Sequence, residues 1–331
     1  MPNAKTKNIL SFLARVILSF TLLFWLFKKI DIGKMAEVLK TADLGYIAIA
    51  LFVFFFINLL LLIRWFVFIK ALGLEVEFRD VVRYFFIGLF CNLFLPSAIG
   101  GDIIKALGLC RTSSQKARVV ASVLLDRLSG FASIVLVATV AFILGYRFIN
   151  DLSLFGMIAA LALLSTAIFT VLLSEKLFAF ACRIFNGIPK IKNGLMNLHS
   201  DIVMIKDKKG AILKAVGLSC LSQFVLAFVF FLIALSLHQP VDLIYFLIFS
   251  PLVCVAASLP SIGGLGVREV GWVYLLAKVG VAESISLSMS LMSFLFMVVV
   301  GLIGGLIYVT TVSSGRLQYY QPDAAVGAKK A

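Results

Sequence analysis

Histidine is almost missing from this chain: His199 and His238 are the only two in 331 residues. Neither stands at a metal-ligand or nucleophile–base spacing, so zinc and hydrolytic chemistry have almost no residues to use. Charge is thin as well, at 14% Asp, Glu, Lys and Arg, and acids are the scarcer sign, 16 against 30 basic residues. The five cysteines, Cys91, Cys110, Cys182, Cys220 and Cys254, form no CxxC pair and lie mostly in apolar surroundings. They suggest neither a disulfide framework nor a metal site. No cofactor is expected.

What is present is apolar. With 62% hydrophobic residues and a mean hydropathy of +1.10, too little polar surface exists to coat a soluble globule, which makes this an integral membrane protein. The segment Ile9 to Phe27 is too long for a signal-peptide core, contains Arg15 and ends in Phe27-Lys28-Lys29, so it reads as a retained first span. The net charge of +14 lies mostly between apolar segments, which favours membrane topology and anionic headgroups over nucleic acid.

A spanning helix needs about 20 apolar residues. Six segments meet this: Ile9 to Phe27, Leu44 to Ile63, Val119 to Leu144, Leu152 to Leu173, Ala211 to Leu237 and Ile285 to Thr311. Two shorter ones, Val81 to Leu95 and Leu243 to Leu259, each run into a Pro-Ser/Gly-Gly element: "LPSAIGGD" and "LPSIGGLGVRE". The basic segment 174–210 is placed in the cytoplasm by the positive-inside rule, and counting outward puts both termini there. Loop 28–43, with four lysines, is the exception.

The count closes if each short piece enters the membrane, turns and returns. The first re-entrant hairpin covers 81–109 and turns at Pro96 to Gly101; the second covers 243–279 and turns at Pro260 to Gly266. Each half then reads two spans, a hairpin and a span. The expected fold is all-α and polytopic, about six full spans plus two re-entrant helical hairpins in an inverted repeat. Its parts are a first repeat (1–151), a second (152–315) and a disordered cytoplasmic tail (316–331).

Non-helical backbone at membrane depth is tolerated only inside protein or beside water. Pro96 and Pro260 end the first half-helices, Gly100-Gly101 and Gly263-Gly264 with Gly266 permit the turns, and Ser97 and Ser261 can bond freed backbone groups. The second half-helices, from near Asp102 and Val267, would aim their N-termini inward and hold an anion between them. Charge follows both turns: Asp102 and Lys105, then Arg268 and Glu269. Arg268 is the stronger anion ligand, with Asp102 or Glu269 as its counter-ion when empty. Asp126-Arg127 lies about 10 Å into its span, where charge costs a few kcal/mol unless paired. Snorkelling of Arg127 competes with a network to Asp102, Arg268 or Glu269. Arg64-Trp65 reads as a membrane-boundary marker, Gly301 and Gly305 as close helix packing, Gln223 and Asn92 as interhelical hydrogen bonds, and 177–209 as an interfacial segment.

The order N-x-x-x-P-x-x-x-G-G-D at Asn92 to Asp102, D-R at Asp126-Arg127, and P-S-x-G-G-x-G-x-R-E at Pro260 to Glu269 resembles the UPF0104 family. This is the lysylphosphatidylglycerol synthase transmembrane region, the flippase domain of the multiple peptide resistance factors, and the likeness runs over roughly 10–312. It implies a membrane domain that moves aminoacylated phospholipid between leaflets, with Asp102, Asp126, Arg127, Arg268 and Glu269 as the positions to carry over. Full-length resistance factors continue into an aminoacyl-transferase domain; this chain ends at Ala331, so it is expected not to synthesise lysyl-lipid.

The expected function is therefore a non-enzymatic lipid translocase in the cell membrane, acting on a phospholipid or lipid-linked anionic headgroup. Its partners would be phospholipids with anionic or aminoacylated headgroups and not nucleic acid; a lipid-modifying enzyme and self-association into a homo-oligomer remain open. Two other classes also fit: a secondary transporter of a small soluble anion, and a non-transporting accessory that docks a lipid-modifying enzyme through 174–210.

Overall fold

A computed structural model describes residues 37, 40–95, 100–145, 152–174, 176–178, 203, 205–258 and 265–313. The segment Ile9 to Phe27, the turns 96–99 and 259–264, most of 177–209 and the tail lie outside the described residues. Among those described, the chain forms α1 (Leu44–Ala71), α2 (Phe78–Phe94), α3 (Gly100–Leu109), α4 (Lys116–Gly145), α5 (Leu152–Leu173), a 3₁₀ turn (Ile205–Asp207), α6 (Lys209–Ser236), α7 (Leu243–Ala257), α8 (Val267–Ala277) and α9 (Glu283–Ser313), and no strand.

Four of these helices, α1, α4, α6 and α9, are long and apolar enough to cross a membrane. At 28 to 31 residues they reach about 42–46 Å, beyond the ~30 Å hydrocarbon layer. Of the six segments expected to span, α5 is a 22-residue helix without a charged residue, and the first is outside the described residues. Large apolar side chains face outward along the long helices, among them Phe52, Ile143, Leu213 and Leu306. In water that would be a liability; in lipid it costs nothing.

Helix ends follow local chemistry. Asp43 caps α1, its Oδ1 accepting from the Gly45 N–H at 2.7 Å, and Gly73 at φ +68° lets the chain leave the far end. Gly266 precedes α8 at φ +86°, a conformation that a Cβ would strain, and the Glu269 side chain reaches back to accept its N–H at 2.6 Å.

The short helices pair. At 17 and 10 residues, α2 and α3 reach about 25 and 15 Å, so neither spans alone. They run antiparallel, because Gly101 lies against Gly88 and Asn92 while Gly108 lies against Tyr84. The fit is close: a Cβ on Gly101 would stand 2.3 Å from the Gly88 carbonyl oxygen. Gly100 and Gly101 thus belong to the first turn of α3 and serve a helix crossing, rather than the turn that the sequence suggested. The second pair is α7 (15 residues) against α8 (11 residues).

The packing map has a regularity. Let the first half be α1, α2, α3 and α4 and the second be α6, α7, α8 and α9. Exchanging the halves turns the α2–α9 contact into α7–α4, α3–α4 into α8–α9, and α2–α3 into α7–α8, and all of these are present. The α1–α6 pair maps onto itself and is antiparallel: the Asp43 N–H donates to the Ser236 carbonyl at one end, and Arg64 meets Ser219 toward the other.

Among the described residues, two large apolar clusters form most of the core. One gathers Phe230, Phe246, Phe249, Trp272 and Phe296; the other gathers Trp65, Phe68, Phe85, Val119 and Leu125. Between them α4 and α6 carry Asp126, Ser129, Ser133, Ser219, Ser222 and Gln223. The site lies in this polar layer.

Candidate functional site: a cavity walled by three arginines

The polar layer lines an open cavity of about 340 Å³. Its wall is drawn from both halves, with Arg64 on α1, Asn92 on α2, Arg127 on α4, Gln223 on α6, Ser258 just after α7 and Arg268 on α8. Among the described residues that line it, the ionisable cations are all arginines and none is a carboxylate.

The carboxylates stand behind the arginines. Arg64 Nε donates to Asp126 Oδ1 at 2.6 Å, and its Nη1 donates to Ser219 Oγ at 3.1 Å. Arg127 Nε pairs with Asp102 Oδ2, and Lys105 Nζ lies 3.0 Å from the other Asp102 oxygen. Arg268 Nη2 donates to Glu269 Oε1 at 2.6 Å, and Ser290 Oγ donates to the same oxygen at 3.2 Å. Asp102, Asp126 and Glu269 are at most 3% exposed, whereas the Arg127 side chain is 39% exposed. Lys105 is buried with its ammonium over the faces of Phe85 and Trp65, at 4.8 and 5.3 Å. Unpaired, each of these ions would cost several kcal/mol at this depth; paired, they hold guanidinium groups at a cavity wall.

Several sequence expectations change in detail. Asp126 lies ten residues into α4, about 15 Å, because the helix starts at Lys116. It pairs with Arg64, which was not among its expected partners. Arg64 is not a boundary marker: α1 continues seven residues past it, and it is 7% exposed. The run "WFVFIKA" after it was the available signal, since those residues prolong the apolar helix and leave Arg64 inside. Gln223 lines the cavity, and its Oε1, shielded from solvent, has no hydrogen-bond partner among the described residues. Asn92 bonds between helices, its Oδ1 accepting from the Gly101 N–H at 2.7 Å. Gly101 N–H and Gly266 N–H are taken by Asn92 and Glu269, one amide at the start of each of these helices. Ser97, Ser261, Pro96, Pro260, Gly263 and Gly264 lie outside the described residues.

Apolar helices too long for a soluble core, packed around a buried ionic layer, define a multi-pass membrane protein. The family model described as "Lysylphosphatidylglycerol synthase TM region" matches residues 12–305, and the chain belongs to that family. It is also similar to the UPF0104 membrane protein PH1989 of Pyrococcus horikoshii, at 24% identity over 315 residues, covering 86% of this chain and 91% of that protein.

Proposed function

We propose that this protein is a non-enzymatic translocase that moves a phospholipid, or a lipid-linked anionic headgroup, between leaflets through the arginine-walled cavity. One observation carries the reading: Arg64, Arg127 and Arg268, from helices of both halves, converge on one cavity with their carboxylate partners behind them. Guanidinium groups suit phosphate oxygens, offering planar pairs of N–H donors and permanent charge. The half-exposed Arg127 stands at the mouth, and the exposed apolar helices supply a lipid-facing path for the acyl chains.

On this reading the α2–α3 and α7–α8 pairs are re-entrant hairpins, the halves 1–151 and 152–315 form an inverted repeat, and both termini lie in the cytoplasm of a cell-membrane protein. The exchangeable contact map and the antiparallel α1–α6 pair support it. Alternating access would then be a trade of packing between halves around a fixed site.

The test is headgroup movement in proteoliposomes, using fluorescent phospholipids and a membrane-impermeant quencher. Arg268→Ala is expected to abolish movement. Because it strands the buried Glu269 carboxylate, Arg268→Ala/Glu269→Gln is run beside it with a melting measurement. Wild-type rates from either variant, shown to be folded, would remove the proposal. Gradient-driven uptake of a soluble phosphate ester without lipid movement would establish the soluble-anion transporter instead.

A further inference from the structure

Resting on the inverted-repeat part of that reading, we infer that the outer face of α9 is a docking surface for this chain's own segment Ile9 to Phe27, laid against it antiparallel, as α5 lies against α4. The two halves keep a constant register. Leu44 and Lys209, which start α1 and α6, are 165 residues apart, and so are Phe78 and Leu243, which start α2 and α7. Gly100 and Val267, which start α3 and α8, are 167 apart, as are Lys116 and Glu283, which start α4 and α9. Asp102 and Glu269, each the third residue of its helix, repeat the interval of 167. Among the described residues, exchange of the halves gives every pair of helices in broad contact a counterpart that is also packed, save one. The exception is α4–α5, whose counterpart would join α9 to the span that precedes α1. In the sequence that span is Ile9 to Phe27.

The faces correspond residue by residue. On α4, Ala132, Val135 and Thr139 line a groove shared with Ser165, Thr166 and Thr170 of α5, and the Phe142 ring lies 5.9 Å from that of Phe155. Phe142 is near the end of α4 and Phe155 near the start of α5, so the two helices run antiparallel. The interval of 167 carries the four α4 positions to Val299, Leu302, Leu306 and Val309, a single stripe at steps of three and four residues. On α4 the four are buried or half-buried, Phe142 at 6%; on α9 all four are exposed, Val309 at 62%. The other side of α9 is taken, since Gly301, Gly304 and Gly305 fit against Leu93, Phe86 and Phe90 of α2. Leu295, also exposed, extends the stripe to about 21 Å. As a helix, Ile9 to Phe27 would reach about 28 Å and cover it. The connection is long enough: Phe54 of α1 packs on Phe296 of α9, and residues 28–43 can stretch about 50 Å.

The experiment uses the full chain in proteoliposomes, with the native cysteines replaced by alanine, a protease site placed within 174–210 and a short bis-methanethiosulfonate as crosslinker. Exchange carries Phe155, fourth in α5, to Phe12, fourth in the segment, and so sets Phe12 against Val309 and Leu26 against Leu295. Phe12→Cys/Val309→Cys and Leu26→Cys/Leu295→Cys are expected to hold the cleaved halves together until reductant is added. The swapped pairs, Phe12→Cys/Leu295→Cys and Leu26→Cys/Val309→Cys, would lie about 20 Å apart and are expected to join at least about tenfold less. Ser19→Cys/Leu302→Cys reads the middle of the stripe if a melting measurement shows that an end pair has not folded. Equal joining in all pairs, or joining in none, would overturn the docking. Joining as strong between Phe12→Cys chains mixed with Val309→Cys chains would overturn it too, assigning the stripe to a second copy. Lipid movement in the same vesicles separates this inference from the proposed function. Movement without joining overturns the docking alone; joining without movement overturns the translocase alone.

Discussion

At the scale of single residues, the ion pairs join the cavity wall to the stability of the fold. Asp126 holds Arg64 at 2.6 Å with both side chains under a tenth exposed, so Asp126→Ala strands a guanidinium in the interior. The expected loss is about 3–5 kcal/mol, read as a lowered melting temperature in detergent, and Arg64→Leu in the same chain is expected to recover much of it. A double variant no more stable than Asp126→Ala would mean that the pair is not what the single change removed. Gly304 makes a steric test of a different kind, because a Cβ there would stand 2.0 Å from the Phe86 carbonyl oxygen on α2. Gly304→Ala is expected to cost about 1–3 kcal/mol by forcing α9 away from α2, while Gly156→Ala, where a Cβ meets nothing, should leave the melting temperature unchanged.

At the scale of elements, the sequence showed where helices run better than what their polar side chains touch. The long apolar segments announced α1, α4, α6 and α9, and the proline–glycine breaks announced the divisions between α2 and α3 and between α7 and α8. Ends of runs were less legible: Arg64 looked terminal because a charge in an apolar run resembles a boundary, yet a buried aspartate 62 positions away lets the helix continue. Such a partner lies outside any local window. Asp102, Arg127, Arg268 and Glu269 were singled out because charge beside a break, or deep in a span, is costly enough to need a reason; Gln223, uncharged, gave no comparable signal of its place in the cavity wall. The α4–α6 contact offers its own experiment. Ser129 and Ser219 bring their hydroxyls within 3.4 Å, so a cysteine pair there, with the native cysteines replaced, is expected to form a disulfide. If the halves trade packing during transport, the oxidised protein stops moving lipid and dithiothreitol restores it. Full activity of the crosslinked protein would show that this contact does not open.

At the scale of the whole molecule, the proposed topology places the two ends of α6 on opposite sides. A cysteine at Gln239 is expected to react with an impermeant maleimide from outside intact cells, and one at Lys208 only after permeabilisation. The opposite pattern would reverse the orientation. The exchangeable packing map bears on how that orientation is kept. The set of packed helix pairs survives when the halves trade places, and α1 and α6 lie together in opposite directions. If the halves form an inverted repeat, as proposed, the same helix pairings would serve either orientation. The sense of insertion would then rest largely on the surface lysines and arginines, a label that can be edited without touching the machinery it addresses. Neutralising Lys206, Lys208 and Lys209 should populate a second, upside-down form with the same melting temperature, two molecules of one fold facing opposite ways.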